Sequence, residues 1–89
     1  MEIDRTTQAD YLKALAHPTR IMILELLERE GRCVTNIGEK LNLKQSNISQ
    51  HLGILRSRGI LSLQREGGLS IYCIKDPSAL KILKMVRGS

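Results

Sequence analysis

Val34-Thr35-Asn36-Ile37-Gly38-Glu39-Lys40-Leu41-Asn42-Leu43-Lys44-Gln45-Ser46-Asn47-Ile48-Ser49-Gln50-His51-Leu52-Gly53-Ile54-Leu55-Arg56-Ser57-Arg58 holds two helical patterns separated by one break. The first is short, Thr35 to Leu41. Asn42-Leu43-Lys44 is the turn, and the second helix starts at Gln45. Ile48, Leu52 and Leu55 form a single apolar stripe on that helix, at the spacing of one helical face. The rest of it carries small or amide-bearing groups in place of the usual Lys/Glu mixture. Short hydrogen-bonding groups flanked by cations are what a helix lying in a DNA major groove needs. A merely solvated polar face is the commoner case for helices in general. The preceding helix-turn and the basic surroundings favour DNA here.

Working outward, Thr6 or Thr7 is placed to cap a first helix of about ten residues, with Leu12, Leu15 and Ala16 on one face. His17-Pro18 interrupts it, and Pro18 suits the first turn of a second helix. That helix, Thr19 to Glu30, is apolar almost all round and is expected at the centre, ending at Gly31. Arg32-Cys33-Val34 is too short for a helix and reads as a small strand. Thr35 is placed to cap the third helix, with Ile37 and Leu41 facing inward, and the fourth ends at Gly59. Ile60 to Glu66 and Leu69 to Ile74 flank Gly67-Gly68 with period-two alternation, which predicts a β-hairpin. Asp76-Pro77-Ser78 opens a last helix carrying Leu80, Ile82, Leu83, Met85 and Val86. The order is helix, helix, short strand, helix, helix, hairpin, helix. It is mainly α with a small hairpin wing, a winged helix-turn-helix. Residues 1–89 are expected to form one such domain. Its outer helices, about 6–16 and 77–87, have apolar faces that one small chain does not cover, so a homodimer is expected.

Composition agrees with this reading. The 89 residues lack Phe and Trp, so the core must be aliphatic. Residues 1–31 hold four Lys/Arg against six Asp/Glu, and residues 32–89 hold ten against three. The basic field therefore belongs to the half with the two-helix pattern, where it would attract a polyanion. No apolar run approaches the roughly 20 residues of a membrane span, and no signal-peptide order opens the chain. A cytoplasmic protein is expected. Arg87-Gly88-Ser89 reads as a short polar end, beyond which a longer native chain would carry any further sensing residues.

Leu15-Ala16-His17-Pro18-Thr19-Arg20-Ile21, Gln45-Ser46-Asn47-Ile48-Ser49-Gln50-His51-Leu52, Leu55-Arg56-Ser57-Arg58-Gly59-Ile60 and the hairpin end Ile71-Tyr72-Cys73-Ile74 together resemble the ArsR/SmtB family of winged-helix repressors. The resemblance implies a dimer that binds imperfect palindromes in promoters and releases them when an inducer binds, often a metal ion. The inducer here is not legible, nor are the operator and the sign of regulation.

Candidate base contacts are Gln45, Ser46, Asn47, Ser49 and Gln50, because Gln and Asn pair bidentately with adenine and Ser donates or accepts at several bases. Gly53 on the same face leaves room for close approach. Lys40, Lys44, Arg56 and Arg58 are candidates for phosphate, or are ordinary surface charges. Arg65 near the wing tip is a further candidate, with Glu66 beside it. His51 either meets phosphate or bonds a nearby backbone group beside the buried stripe. His17 reads as a capping or packing residue.

No cofactor is expected, and no metal site. Cys33-Val34-Thr35-Asn36-Ile37 lies where metal-sensing relatives carry Cys-x-Cys-Asp-Leu, so Thr35 and Asn36 stand in place of a thiolate and a carboxylate. Soft ions need two or three thiolates. The final helix offers Asp76, then Lys81, Lys84 and Arg87, with no His. If the short strand pairs with the last wing strand, Val34 and Ile74 face the core, and Cys33 and Cys73 share the outer face. A thiol switch between them would need Cα atoms within about 7 Å. Two incidental small residues are the plainer alternative. No nucleophile-base arrangement, phosphate loop or ligand cluster suggests an enzyme. A protein-interaction module is the alternative reading, but such a surface should expose aromatic or Arg anchors. Exposed aromatics for stacking single-stranded RNA are also missing.

Overall fold

A computed structural model describes residues 4–88; Met1–Ile3 and Ser89 of the expected domain lie outside the described residues. Five helices and three strands follow in the expected order: α1 (Arg5–Leu15), α2 (Pro18–Arg29), β1 (Cys33–Val34), α3 (Ile37–Leu41), α4 (Gln45–Ser57), β2 (Leu61–Glu66), β3 (Leu69–Ile74) and α5 (Ser78–Val86).

α2 is the central helix. Ile23, Leu24, Leu26 and Leu27 are buried on it, although Met22 reaches solvent. Pro18 occupies its first turn, and the His17 Nδ1 caps it by accepting from the Thr19 N–H at 3.1 Å. Ile48, Leu52 and Leu55 of α4 join the same cluster, with Val34, Ile37, Ile60, Leu61 and α5's Ala79, Leu80 and Leu83. At roughly 1.5–3 kcal/mol per fully buried aliphatic side chain, this cluster is the source of the fold's stability.

The sheet is antiparallel in the order β1-β3-β2. Register pairs Glu66 with Leu69, so Gly67-Gly68 alone makes the turn. Their φ angles of +54° and +83° are those of a tight hairpin turn that glycine adopts without cost.

The starts of α1, α2 and α3 and the ends of α1 and α2 differ from expectation. Asp4, not Thr6 or Thr7, caps α1: its carboxylate accepts from the Thr6 N–H at 3.0 Å and the Thr7 hydroxyl at 2.9 Å. A carboxylate that takes both donors leaves the threonines inside the helix. α1 then stops at Leu15, which leaves Ala16 exposed, buries Ala14 instead, and turns Leu12 outward at 50% exposure. α2 spans Pro18–Arg29, one residue earlier than Thr19–Glu30. Thr35 does not cap α3; Asn36 occupies that position in the left-handed region and makes no side-chain cap.

Candidate nucleic-acid interface

α3 and α4 meet through one close approach. Gly38 is buried at their junction, and a Cβ there would lie 3.0 Å from the Leu43 carbonyl oxygen. That chain segment is held by the Leu43 N–H donating to the Gly38 carbonyl at 2.8 Å. Asn42 takes the left-handed conformation at φ +57°, which asparagine tolerates, and the chain turns into α4.

α4 buries Ile48, Leu52 and Leu55 and turns the opposite side to solvent. Ser46, Gln50, Gly53 and Ser57 recur at four, three and four residues, so they form one line along the exposed side. All four are exposed. Asn47 is exposed beside this line. Among the described residues no hydrogen bond engages the side chains of Ser46, Asn47 or Gln50. Ser49 donates to the Gln45 carbonyl at 2.8 Å and accepts from the Gln45 amide at 3.2 Å. Gln45 also turns toward Gly38 and lines a cleft of about 260 Å³ between the helix pair and the wing, with Asn36, Ser70 and Tyr72. It therefore sits off the outward line.

The cations fall into two groups. Lys44 is the residue before α4, which has no side-chain cap, and neither Lys44 nor Arg56 has an ion-pair partner among the described residues. Lys40 pairs with Glu30 at 3.1 Å, and Arg58 pairs with Asp10 of α1 at 3.5 Å. Arg65 donates to the Ser70 hydroxyl at 3.1 Å on the wing. Exposed pairs of this kind are worth at most about 1 kcal/mol and exchange readily for another anion.

His51 leaves the outward line. It is half-buried, its ring centroid lies 4.4 Å from that of His17, and Arg20 contacts its Nδ1 at 3.0 Å. The backbone partner expected for it is not found; its partner is the Arg20 side chain. Burial first, then His17 and Arg20, lower its pKa below the ordinary 6.5. Arg20 was not among the residues singled out by sequence, because its partners lie on other helices.

Cys33 and Cys73 face each other across β1 and β3 with Cα atoms 4.1 Å apart, joined as a disulfide. Val34 pairs with Tyr72. The expected alternation places Val34 inward and the cysteines outward. Among the described residues, no group of three His, Cys, Asp or Glu side chains is placed to hold a metal ion. No described helix is long and apolar enough to cross a membrane.

Residues 17–62 match the family described as "Bacterial regulatory protein, arsR family". The HTH-type transcriptional regulator Rv0081 of Mycobacterium tuberculosis is 41% identical over 81 residues, which cover 90% of this chain and 71% of that one. Its crystal structure superimposes with a TM-score of 0.80, covering 98% of this chain and 88% of that chain at 37% identity. The HTH-type regulator MJ1325 of Methanocaldococcus jannaschii is 42% identical over 79 residues, covering 88% and 89% of the two chains. NolR from Sinorhizobium fredii aligns with a TM-score of 0.81 at 28% identity, covering 97% and 92%.

Proposed function

This chain belongs to the arsR family of bacterial regulatory proteins, and from that premise we propose that it is a homodimeric, cytoplasmic repressor whose α4 reads double-stranded operator DNA. The observation that carries the proposal is the outward line of Ser46, Gln50 and Gly53, opposite the buried stripe of the same helix. Ser46, Asn47 and Gln50 meet base edges, and Ser49 and Gln45 support them from the helix start. Lys44 and Arg56 neutralise phosphate at the two ends of the helix. Lys40, Arg58 and Arg65 exchange their present partners for backbone oxygens. The uncapped N–H groups at the start of α4 add a further anion-seeking element. His51 acts within the protein.

The dimer is proposed to form through α1 and α5. These helices are neighbours: the Tyr11 hydroxyl donates to Asp76 at 2.8 Å. Leu12 and Ile82 line one open apolar groove with Tyr11, and Met85 and Val86 are exposed on α5. Two copies joined there would present two reading helices to a palindromic operator, about one helical turn apart.

Metal control does not fit these residues. Cys33 is bound to Cys73, Thr35 and Asn36 replace softer and charged ligands, and Asp76 is engaged by Tyr11. Thiol control fits better. The paired cysteines are outward-facing, and disulfides in a reducing cytosol are typically transient and redox-sensing. Reduction by two equivalents of a small thiol, which leave joined as their own disulfide, would yield two protein thiols, remove the covalent tie between β1 and β3 while their backbone pairing remains, and loosen the wing.

The test is selection of bound duplexes from a random pool, with and without dithiothreitol, followed by a salt titration. Recovery of one palindromic motif, with affinity falling steeply as salt rises, is the expected result. No enrichment at low salt, with capture of a protein partner instead, would favour the interaction-module reading. Equal affinity with and without reductant, unchanged by Cys33→Ser, would remove thiol control alone.

A further inference from the structure

We propose that Arg20 is a positioning residue that clamps the reading helix to α1, and that protonation of His51 opens the clamp, so that DNA is held at neutral pH and released in acid. The inference rests on α4 being the DNA-reading helix.

Arg20 lies on α2 and donates in three directions. Its Nε reaches the Ala14 carbonyl at 2.6 Å, Nη2 the Lys13 carbonyl at 3.2 Å, and Nη1 the His51 Nδ1 at 3.0 Å. The two carbonyls belong to the last turn of α1, where a helix leaves its acceptors short of intrahelical donors; that of Lys13 also accepts from the Ala16 N–H at 3.1 Å. One planar guanidinium thus ties together the end of α1, the body of α2 and the flank of α4. Rotation of α4 about its own axis would break the Nη1 contact first. Any movement of α1 would be felt at the same group.

The chemistry of the third bond fixes the state of His51. A guanidinium has donors and no acceptor, so the Nδ1 must be bare and the ring proton must sit on Nε2. His17 is constrained in the same way, because its Nδ1 accepts from the Thr19 N–H. A proton added to His51 can go only to Nδ1. It would place a donor against a donor and a positive ring against a guanidinium.

Among the described residues no unpaired acidic group is found beside the ring to offset that charge. From the α2 side the imidazole faces Arg20 and His17. On α1 the charged residues of this region are Lys13 and Asp10, and Asp10 is paired with Arg58. α4 itself contains no acidic residue. Burial and both neighbours lower the His51 pKa, which agrees with this geometry. Because the folded value lies below the unfolded one, the clamp's stabilisation is complete above about pH 6.5 and is lost as pH falls through the folded value.

The direction is diagnostic. Added positive charge alone strengthens attraction to phosphate, so acid should tighten binding unless the reading helix is displaced. The experiment measures affinity of the full-length chain for a fluorescein-labelled duplex recovered from the random pool, between about pH 7.5 and about pH 5.5. Wild type should lose affinity several-fold over that range; the lowered pKa of His51 keeps the loss at about pH 5.5 below about tenfold. His51→Asn, which keeps an acceptor near the Nδ1 position and does not titrate, should lose the acid sensitivity whatever its affinity at neutral pH. Arg20→Lys, which keeps the charge without the fork, should weaken neutral binding and flatten the profile. Nitrogen NMR of the wild-type imidazoles should show the Nε2–H form of His51 at neutral pH. Affinity that is flat or rises in acid, a parallel loss in His51→Asn, or a protonated Nδ1 at neutral pH would each overturn the clamp. Failure to recover any duplex at neutral pH would overturn the DNA-reading assignment instead, and the imidazole spectrum would still decide the Arg20–His51 bond.

Discussion

Gln50 and Ser46 carry polar atoms that find no use within the described fold. Their value is outward, so Gln50→Ala should leave the denaturation midpoint within experimental scatter while costing about 1–3 kcal/mol of operator affinity and relaxing preference at one base position. Affinity measured on a set of single-base operator variants checks both parts. Gly38 behaves in the opposite way. In Gly38→Ala the new methyl would press the Leu43 carbonyl, whose residue is already tied to Gly38 by its own N–H donating to the Gly38 carbonyl. Alanine's better helix propensity, about 1 kcal/mol, is expected to be outweighed, with a net destabilisation on the order of 1 kcal/mol, read from urea unfolding. These two residues also mark what a sequence discloses. The outward line is legible because helical spacing alone assigns a face. The demand for glycine at 38 is not, because it depends on a carbonyl five residues later. Arg20 is less legible still: its acceptors lie 6, 7 and 31 residues away, and no local pattern announces a bond of that kind.

Among the elements, the hairpin and α4 were the most legible, since Gly67-Gly68 and the apolar stripe each encode geometry within a few residues. Helix starts were less so. Asp4, Thr6 and Thr7 are all competent caps, and only the carboxylate's capture of two donors decides among them. The bond between α1 and the segment leading into α5 is a second case, built from residues 65 apart. Tyr11's hydroxyl bond, then a smaller share from the Ser78 N–H, holds the Asp76 carboxyl below its ordinary 3.8, against the opposing effect of burial. A lowered carboxyl contributes stability above its unfolded pKa, and that contribution is lost as pH falls through the folded value. Tyr11→Phe should therefore cost about 1 kcal/mol at neutral pH and progressively less below about pH 3.8. Melting temperatures of both proteins at neutral and acid pH test this. The β1–β3 link predicts a larger effect. Closing a loop of 40 residues restricts the unfolded chain by about 4 kcal/mol in the chain-entropy treatment. Reduction should lower the urea midpoint accordingly, and a Cys33→Ser/Cys73→Ser double variant should match the reduced protein.

On the scale of the whole molecule, three exposed large apolar side chains, Leu12, Met85 and Val86, lie on the outer helices, with Met22 on α2 and Leu69 on the wing. The basic excess of residues 32–89 includes Lys81, Lys84 and Arg87 at the α5 end, so the proposed contact between copies rests on the apolar side chains of α1 and α5 rather than on a separation of charge. Met85 is 81% exposed, so Met85→Glu should not disturb the monomer's core. It should lower the mass seen by sedimentation toward that of one chain and weaken operator binding, because half-sites would then be engaged singly. The expectation of uncovered outer helices was legible in the apolar excess at both ends; which residues stay uncovered was not, because α1 stops at Leu15, one residue short of the expected end. The crosslink divides the chain in another way. α3, α4 and nearly all of the wing lie between Cys33 and Cys73, whereas α1, α2 and α5 lie outside. The oxidised polypeptide is thus topologically a ring with two tails. A protease that nicks the ring at any one bond leaves a single covalent particle, whereas a nick in a tail leaves two pieces held by packing alone, which part once the fold is denatured.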